Sequence, residues 1–344
     1  MENELWTYLK SVEKPVILYG MGNGADKIIK VLESYGIEFD GVFASDGFVR
    51  EKYFHGKKIM SYSEIKKIFP ESVVLLCFGS ARPEVIENVL RIAGEQELYA
   101  PEVPVIGSGL FTKEFYEENK EKFEFVYSRL ADDLSRKTFE NIINFKLSGK
   151  IKYLFDCQVS DDEPYESFLK LDSNETYLDL GAYNGDTVID FKSRVKDYNR
   201  IIAAEPDTKN FKKLVKNTEA FKNTECCNVA ISNYCGEAPF SMNGGRNSCA
   251  GGEKTVMFSS VDNLVKDSAV TYIKMDLEGE EENAIKGALN TIKKNKPKML
   301  ISAYHRTDDF IKLPEAVFGI RNDYKLYIRH FKSLPDWDTN FYFI

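Results

Sequence analysis

Long apolar runs are missing from this sequence. None approaches the length of a membrane span, which excludes a membrane-spanning helix from the reading. The first residues, MENELWTYLKS, contain neither a basic stretch nor an apolar core, so they do not read as a secretory signal peptide. Cysteine is sparse and unpatterned. Cys77, Cys157, Cys226, Cys227, Cys235 and Cys249 form no C-x-x-C pair and no zinc-like spacing. A disulfide scaffold, a zinc ribbon and a dithiol redox centre are therefore excluded, and the thiols are read as reduced. Basic blocks are absent too. The chain has 46 basic and 54 acidic residues, a formal charge of −8, and no cluster of Lys and Arg to engage a phosphate backbone. Nucleic acid is excluded as the main partner. The expectation from these absences is a cytoplasmic protein.

What is present suits two hydrophobic cores: 344 residues, 43% hydrophobic and 29% charged. Strands alternate with helical patterns in the first part. Val16–Tyr19 precedes a glycine turn and a helix from about Ala25 to Tyr35. Phe39–Ala44, a helix over Ser63–Ile68, the apolar run Val73–Phe78 and a helix opened by Pro83 follow. This is the βαβ pattern of a parallel sheet. From about Thr112 to Leu169 apolar residues recur at helical spacing, Phe115, Phe123, Val126, Leu130, Leu134 and Phe139 among them, which predicts bridging helices. A second α/β region has strands at Thr176–Leu180, Ile201–Ala204, near Cys227–Ile231, Thr271–Met275 and Met299–Ser302. Helices are expected over Glu281–Lys293 and Leu313–Phe318, the latter opened by Pro314. Tyr324–Arg329 and Asn340–Phe343 close the chain as an antiparallel pair. The predicted boundaries are 1–108 for a Rossmann-like unit, 109–170 for the helical connector and 171–344 for the second α/β unit.

The most informative segment runs from Tyr177 to Thr187. It reads as a strand ending in a turn of small residues that opens a helix. Gly181 and Gly185 would let a ligand approach the backbone closely. Glu205 ends the next strand, 20 residues after Gly185, where a carboxylate can accept both ribose hydroxyls of an adenosine. A dinucleotide would place its pyrophosphate on this turn. Asp179 and Asp186 flank the turn, and two carboxylates repel a pyrophosphate but suit the ammonium and sulfonium of S-adenosylmethionine. The glycines also miss the G-x-G-x-x-G spacing.

Four ordered blocks carry a resemblance. Asp179-Leu-Gly-Ala-Tyr-Asn-Gly-Asp-Thr187, Ala204-Glu-Pro-Asp207, Ile273-Lys-Met-Asp-Leu-Glu-Gly-Glu280 and Ser302-Ala-Tyr-His305 are similar to the serial motifs of the FkbM-type methyltransferase family. The terminal Tyr327-Ile-Arg-His330 resembles a later block of that family. The resemblance covers roughly residues 150–344. It implies a class I methyltransferase fold, a Rossmann-like sheet whose last strand is antiparallel, here preceded by a smaller Rossmann-like α/β domain. It implies S-adenosylmethionine as methyl donor and O-methylation of a saccharide, nucleotide-sugar or natural-product hydroxyl. On that analogy Asp179, Gly181, Ala182, Tyr183, Gly185, Asp186 and Thr187 line the methionine side, Glu205 with Pro206 holds the ribose, and Asp207 supports that loop. Asp276 is counted with both cofactor and catalysis. The family's acidic residue and Thr before the last strand are matched only in part by Trp337-Asp338-Thr339-Asn340.

Ligands of an open parallel sheet bind outside the carboxyl ends of its strands. Those ends carry Asp179, Glu205, Asp276 with Glu278, His305 with Arg306, and Arg329 with His330. Two of the chain's 3 histidines fall on this edge. His305 is expected as general base, with His330 second and both facing one crevice. Lys274 interrupts an apolar central strand and needs a partner or a task, Asp276 or Glu278 being the candidates. Asp276, Glu278, His305 and His330 could together make a site for a hard metal, magnesium or manganese, but their spacing carries no diagnostic pattern and no metal is assigned. The glycine-rich stretch from Ser241 to Glu253 reads either as a lid or as a surface loop.

In the first unit, Gly20-Met-Gly-Asn-Gly-Ala25 follows a strand and satisfies G-x-G-x-x-A, with Asp46 where a ribose-binding acid belongs. His55 stands alone in a loop, without an acid partner in the sequence. Three readings stand: a site for a nucleotide or nucleotide sugar, an NAD-binding remnant, and a structural or homodimerising module. Two rival functions follow, an NAD-dependent oxidoreductase using this turn and a nucleotide-binding sensor without chemistry.

Overall fold

A computed structural model describes residues 2–45, 53–240, 254–266 and 268–344; Asp46 and the stretch 241–253 lie outside the described residues. The first sheet contains β1 (Val16–Tyr19), β2 (Gly41–Ala44), β3 (Tyr53–Phe54), β4 (Lys57–Ser61), β5 (Val73–Leu76) and β6 (Glu97–Tyr99). Their spatial order is β3-β4-β2-β1-β5-β6. Strand β5 is Val-Val-Leu-Leu with every residue buried, as a central parallel strand covered on both faces must be. The two-residue β3 pairs antiparallel with β4 at the edge. Neither of these two strands is evident from periodicity.

The second sheet follows the order of a class I methyltransferase. It contains β7 (Thr176–Leu180), β8 (Arg200–Ala204) and β9 (Thr224–Cys227) from its first half. A small outlying sheet comes next in the chain, from β10 (Ala230–Ile231), β11 (Gly236–Phe240) and β12 (Lys254–Ser259). The main sheet is completed by β13 (Tyr272–Met275), β14 (Lys298–Ser302), β15 (Leu326–His330) and β16 (Thr339–Phe343). The order is β15-β16-β14-β13-β7-β8-β9. Strand β16 runs antiparallel between β14 and β15, pairing Ile301 with Phe341 and Ile328 with Phe341. The parallel core strands end together, so Leu180, Ala204, Met275 and Ser302 lie along one edge.

Five helices join the sheets, the longest being Asp133–Ser148. Asp132 caps its N-terminus by accepting from Ser135 N, and Gly149 ends it at φ +65°, a left-handed cap that a side chain would resist. Phe123, Phe139 and Phe145 of the connector join Ile17, Tyr19 and Phe43 of the first sheet, Phe341 and Phe343 of the second, and Phe310 of the helix Asp309–Ile320 in one continuous core. Each such ring contributes about 1.5–3 kcal/mol when fully buried. Charges also tie the parts together. Arg329, 1% exposed, pairs with Asp132 at 2.7 Å and Glu163 at 2.6 Å. Lys146 is sealed between Glu102 at 2.6 Å and Asp336 at 2.7 Å.

Two helices differ from the sequence reading. The helix expected to open at Pro314 spans Asp309–Ile320, with the proline inside it. A proline there forfeits a backbone bond at a cost of about 3 kcal/mol, which the buried face of Phe310, Ile311, Leu313, Val317 and Phe318 offsets. The helix expected from Glu281 to Lys293 is two, Glu281–Gly287 and Leu289–Asn295. No helix among the described residues is long and apolar enough to cross a membrane.

Candidate active site

The turn after β7 is held from beneath. Gly181 stands at φ +81°, and any side chain there would run into the Asp276 carbonyl oxygen, so glycine is required on both counts. Lys274 on β13 donates to the Gly181 carbonyl at 2.9 Å and lies 3.4 Å from Asp179 Oδ1 and 3.9 Å from Asp276 Oδ2. The partner that this buried lysine needs is therefore first Asp179, and Glu278 is not involved. Burial opposes the lysine charge, but Asp179, Asp276 and Asp186 outweigh it and hold its pKa above the ordinary value. Asp179 is fully buried and accepts from the Thr187 hydroxyl. Burial raises its pKa against the pull of Lys274 and Thr187. Asp179, Lys274 and Thr187 are thus the underside of the turn, whereas Tyr183 and Asp186 are exposed on its outer side. The buried Ala182 donates its N–H to the Ala204 carbonyl, locking the turn to β8.

Glu205 follows β8 directly. Its Oε2 accepts from Tyr183 N and its Oε1 from Asp207 N, each at 2.9 Å. The carboxyl group is only 6% exposed, and burial pushes its pKa up to about 7 although both amides pull it down. Each oxygen has one amide donor and retains lone-pair capacity for another. Asp207 in turn caps the helix Thr208–Thr218 through Lys209 N and Asn210 N. Asn228 donates to the Glu205 and Pro206 carbonyls and pins this loop from β9's side, a support the sequence reading missed.

Along the edge, Asp276 follows β13 and His305 follows β14. Asp276, about one-third exposed, receives the Tyr304 hydroxyl at 3.2 Å and lies 3.4 Å from His305 Nε2. Burial would raise the Asp276 pKa, yet Lys274 and His305 hold it below the usual carboxylate range. His305 is 1% exposed, its Nδ1 2.9 Å from Glu281 Oε1 and its Nε2 3.9 Å from Glu278 Oε2. Burial disfavours its charge, but the carboxylates of Glu281, Asp276 and Glu278 prevail and raise its pKa to about 10. Three flanking carboxylates favour a cation at this position, either a proton on the ring or a metal ion bound to it, and this leaves His305 ill suited as a free general base.

His330 is corrected more strongly. It is fully buried, with Nδ1 3.0 Å from the Thr339 hydroxyl, and burial pushes its pKa down to about 4 despite Asp336. It sits in the sealed junction of β15, the loop before β16 and the connector, and cannot reach an acceptor. Its neighbour Arg329 is equally committed. The loop before β16 instead delivers Asp338, exposed at the crevice lip. The crevice walls, with Asp161 and Asp276, push its pKa up to about 6. Tyr183, Glu278 and Asp338 all adopt positive φ, at 45°, 52° and 87°. His55, Asn223, Lys266 and Lys296 also have positive φ, so three such residues fall along this edge and four elsewhere.

The first sheet meets this edge through its connection. Ile106 N donates to the His305 carbonyl at 2.9 Å and the Thr307 hydroxyl to the Gly109 carbonyl at 2.6 Å. In the Gly20–Ala25 turn, Gly22 has open space where a side chain would be. Lys27, on the helix that follows, donates to the Pro104 and Val105 carbonyls. His55 is not alone, since its Nε2 lies 2.8 Å from Asp26. A cleft of about 260 Å³ beside this sheet is lined by Phe43, Ser45, Tyr62, Arg82, Glu84, Val85, Asn88 and Arg91, and by none of the glycine turn.

Residues 179–334 match the family model of the methyltransferase FkbM domain. The crystal structure of methyltransferase FkbM from Methylobacillus flagellatus superimposes with a TM-score of 0.75 at 22% identity, over 96% of this chain and 90% of that one. The shared fold thus includes the first sheet and connector. An rRNA methylase from Streptococcus thermophilus overlaps 50% of this chain and 87% of that one, at 13% identity and a TM-score of 0.34, too loosely to carry weight. No curated protein matches the chain.

Proposed function

From the premise that the C-terminal half of the chain is an FkbM-type methyltransferase domain, we propose that it binds S-adenosylmethionine on the turn after β7 and methylates a hydroxyl of a saccharide, nucleotide sugar or natural product. The observation that carries the cofactor reading is Glu205. Its buried carboxylate closes the turn by accepting two backbone amides and keeps capacity for a diol. The donor set fits the nucleoside in charge as well: carboxylates surround the turn, and among its described residues no cation faces outward to take a pyrophosphate. S-adenosylmethionine supplies an electrophilic methyl group on a sulfonium sulfur.

This chain's residues do the rest. Glu205 fixes the ribose, with Pro206 and Asp207 setting its loop. Gly181, Ala182, Tyr183, Gly185, Asp186 and Thr187 shape the methionine side, and Asp179 and Lys274 brace that surface from below. Asp276 meets the acceptor, and alignment of acceptor oxygen with the methyl group supplies much of the rate. Asp338, exposed just before β16 and accepting from Asn340 Nδ2, is a further carboxylate on the acceptor side. The hydroxyl-bearing acceptor is supported by the exposed or half-exposed carboxylates of Asp276, Glu278 and Asp338, all hydrogen-bond acceptors. The same carboxylates disfavour a polyphosphate backbone. Residues 1–108 serve as a Rossmann-like unit, for which a nucleotide or nucleotide-sugar site is one reading; Arg82 and Arg91 in its cleft are paired with Glu84 and Glu95. The test is a screen of nucleotide sugars and free glycosides with the purified chain and S-adenosylmethionine. A product heavier by one methylene, formed with stoichiometric S-adenosylhomocysteine, supports the reading. Methylation of an amine or carbon acceptor instead would overturn the O-methyl assignment.

A further inference from the structure

The loop after β13 and the loop after β14 bring together more negative charge than the side chains near them balance. Asp276, Glu278 and Glu281 surround the His305 imidazole, and Asp309, 3% exposed, adds a fourth carboxylate behind Glu281. Lys274 reaches Asp276 only at 3.9 Å and is committed to Asp179 and the Gly181 carbonyl, while Lys27 faces Glu278 from the first unit but donates to the Pro104 and Val105 carbonyls. Arg306 turns away, donating to the Gly279 carbonyl and pairing with Glu280.

The hydrogen bonding of the cluster is also incomplete. Glu281 is fully buried, and its Oε1 accepts from Leu277 N at 2.7 Å while its Oε2 has no partner. His305 Nδ1 approaches Glu281 Oε1 to 2.9 Å without the alignment of a hydrogen bond, and it too is unpartnered. Glu281 Oε2 and His305 Nδ1 are thus two buried, unpartnered atoms on two side chains already in contact, and both can turn to one small cation. Ligands about 2.1 Å from an ion lie about 3 Å apart when adjacent. One ligand atom each from Asp276, Glu281 and His305 can be chosen with all separations within 4.8 Å.

We propose that Asp276, Glu281 and His305 form a binding site for one divalent cation at the acceptor end of the crevice. The mixed donor set, two carboxylates and one imidazole, suits a first-row ion of the Mn²⁺ kind. Glu281 and His305 are the buried floor, and Asp276 opens the site to the crevice with Glu278 beside it, 57% exposed. Coordination positions on that side stay free. Under the methyltransferase reading, on which this role rests, an acceptor hydroxyl takes one of them and the ion lowers its pKa. The sequence alone did not reveal the set, because Glu281 looks like an ordinary acidic residue in a first helical turn.

The test is a titration of the chelator-treated full chain with Mn²⁺, read by the paramagnetic resonance signal of the free ion. Calorimetry with S-adenosylhomocysteine follows on the same preparation. The expected result is one equivalent of bound Mn²⁺, with at least a tenfold weaker Kd in Glu281→Gln and in His305→Ala, and no change in the surface variant Asp323→Asn. Absence of binding in the wild type overturns the proposal, and so does binding of several equivalents that both variants retain. The wild-type titration stands even if a variant fails to fold. Nucleoside binding without Mn²⁺ binding overturns the metal site alone. Mn²⁺ binding without nucleoside binding overturns the methyltransferase reading and leaves the metal site standing.

Discussion

Replacing Glu205 by glutamine should weaken the cofactor and remove its pH dependence together. The wild-type carboxylate accepts Tyr183 N and Asp207 N, and the ribose would add two hydroxyl donors. Glutamine keeps one acceptor oxygen and turns an NH₂ toward one of those amides. Loss of one hydrogen bond to a charged group, at about 1.5–3 kcal/mol, raises the Kd for S-adenosylhomocysteine by about ten-fold to about 150-fold. The pH argument is independent of that magnitude. Burial holds the free carboxyl at about 7, and only the ionised form accepts both hydroxyls. Affinity should therefore rise about tenfold between pH 6 and pH 8 in the wild type and stay level in Glu205→Gln. The stability consequence has the opposite sign. A group whose folded pKa lies above its unfolded value contributes fully below the unfolded value, near 4.5, and loses that contribution as pH rises through about 7. Calorimetric titration at three pH values reads the effect. Equal pH slopes in wild type and variant would refute the reasoning.

Other substitutions probe the supports. Gly181→Ala forces an L-residue to φ +81° against the Asp276 carbonyl, so nucleoside binding should be lost and the melting temperature lowered. Unchanged calorimetry would remove the turn from the site. Lys274→Met leaves Asp179 buried without its cation and should destabilise the fold by about 3–5 kcal/mol in denaturant titrations. A loss below about 1 kcal/mol would show that Thr187 alone suffices for Asp179. Arg329→Leu strands Asp132 and Glu163, but both are partly exposed and can rehydrate, so a smaller loss, about 1–3 kcal/mol, is expected there. A residual methyl-transfer rate close to wild type in the folded fraction would agree with its placement away from the crevice.

The strand-and-turn grammar of the second sheet is largely legible from sequence, because β7 and β13 are short apolar runs with punctuation at their ends. Asp179, Glu205, Asp276 and His305 are legible for the same reason: each ends or follows such a strand. What periodicity does not carry is which of these residues are committed elsewhere. His305 and His330 look equivalent in sequence, at the ends of two strands. The difference arises from the tertiary packing of Asp336 and Thr339 around one and of Glu281 and Asp276 around the other. Asp338 and Glu278 owe their places to positive-φ turns, which no alternation of residue types announces. Strands β11 and β12 flank the stretch 241–253 and were not foreseen, since Gly236 and Pro239 break the pattern of a strand. Pro314 misleads for the converse reason, since a buried apolar face carries the helix past it.

The central claim is the identity of the nucleotide on the turn after β7. The direct measurement is calorimetric titration of the purified chain with S-adenosylmethionine, S-adenosylhomocysteine and NAD. Binding of both sulfur nucleosides at one site per chain, weakened in Glu205→Gln, is the predicted result. Binding of NAD alone, unaffected by that substitution, would contradict the account and move the nucleotide to the turn at Gly20–Ala25.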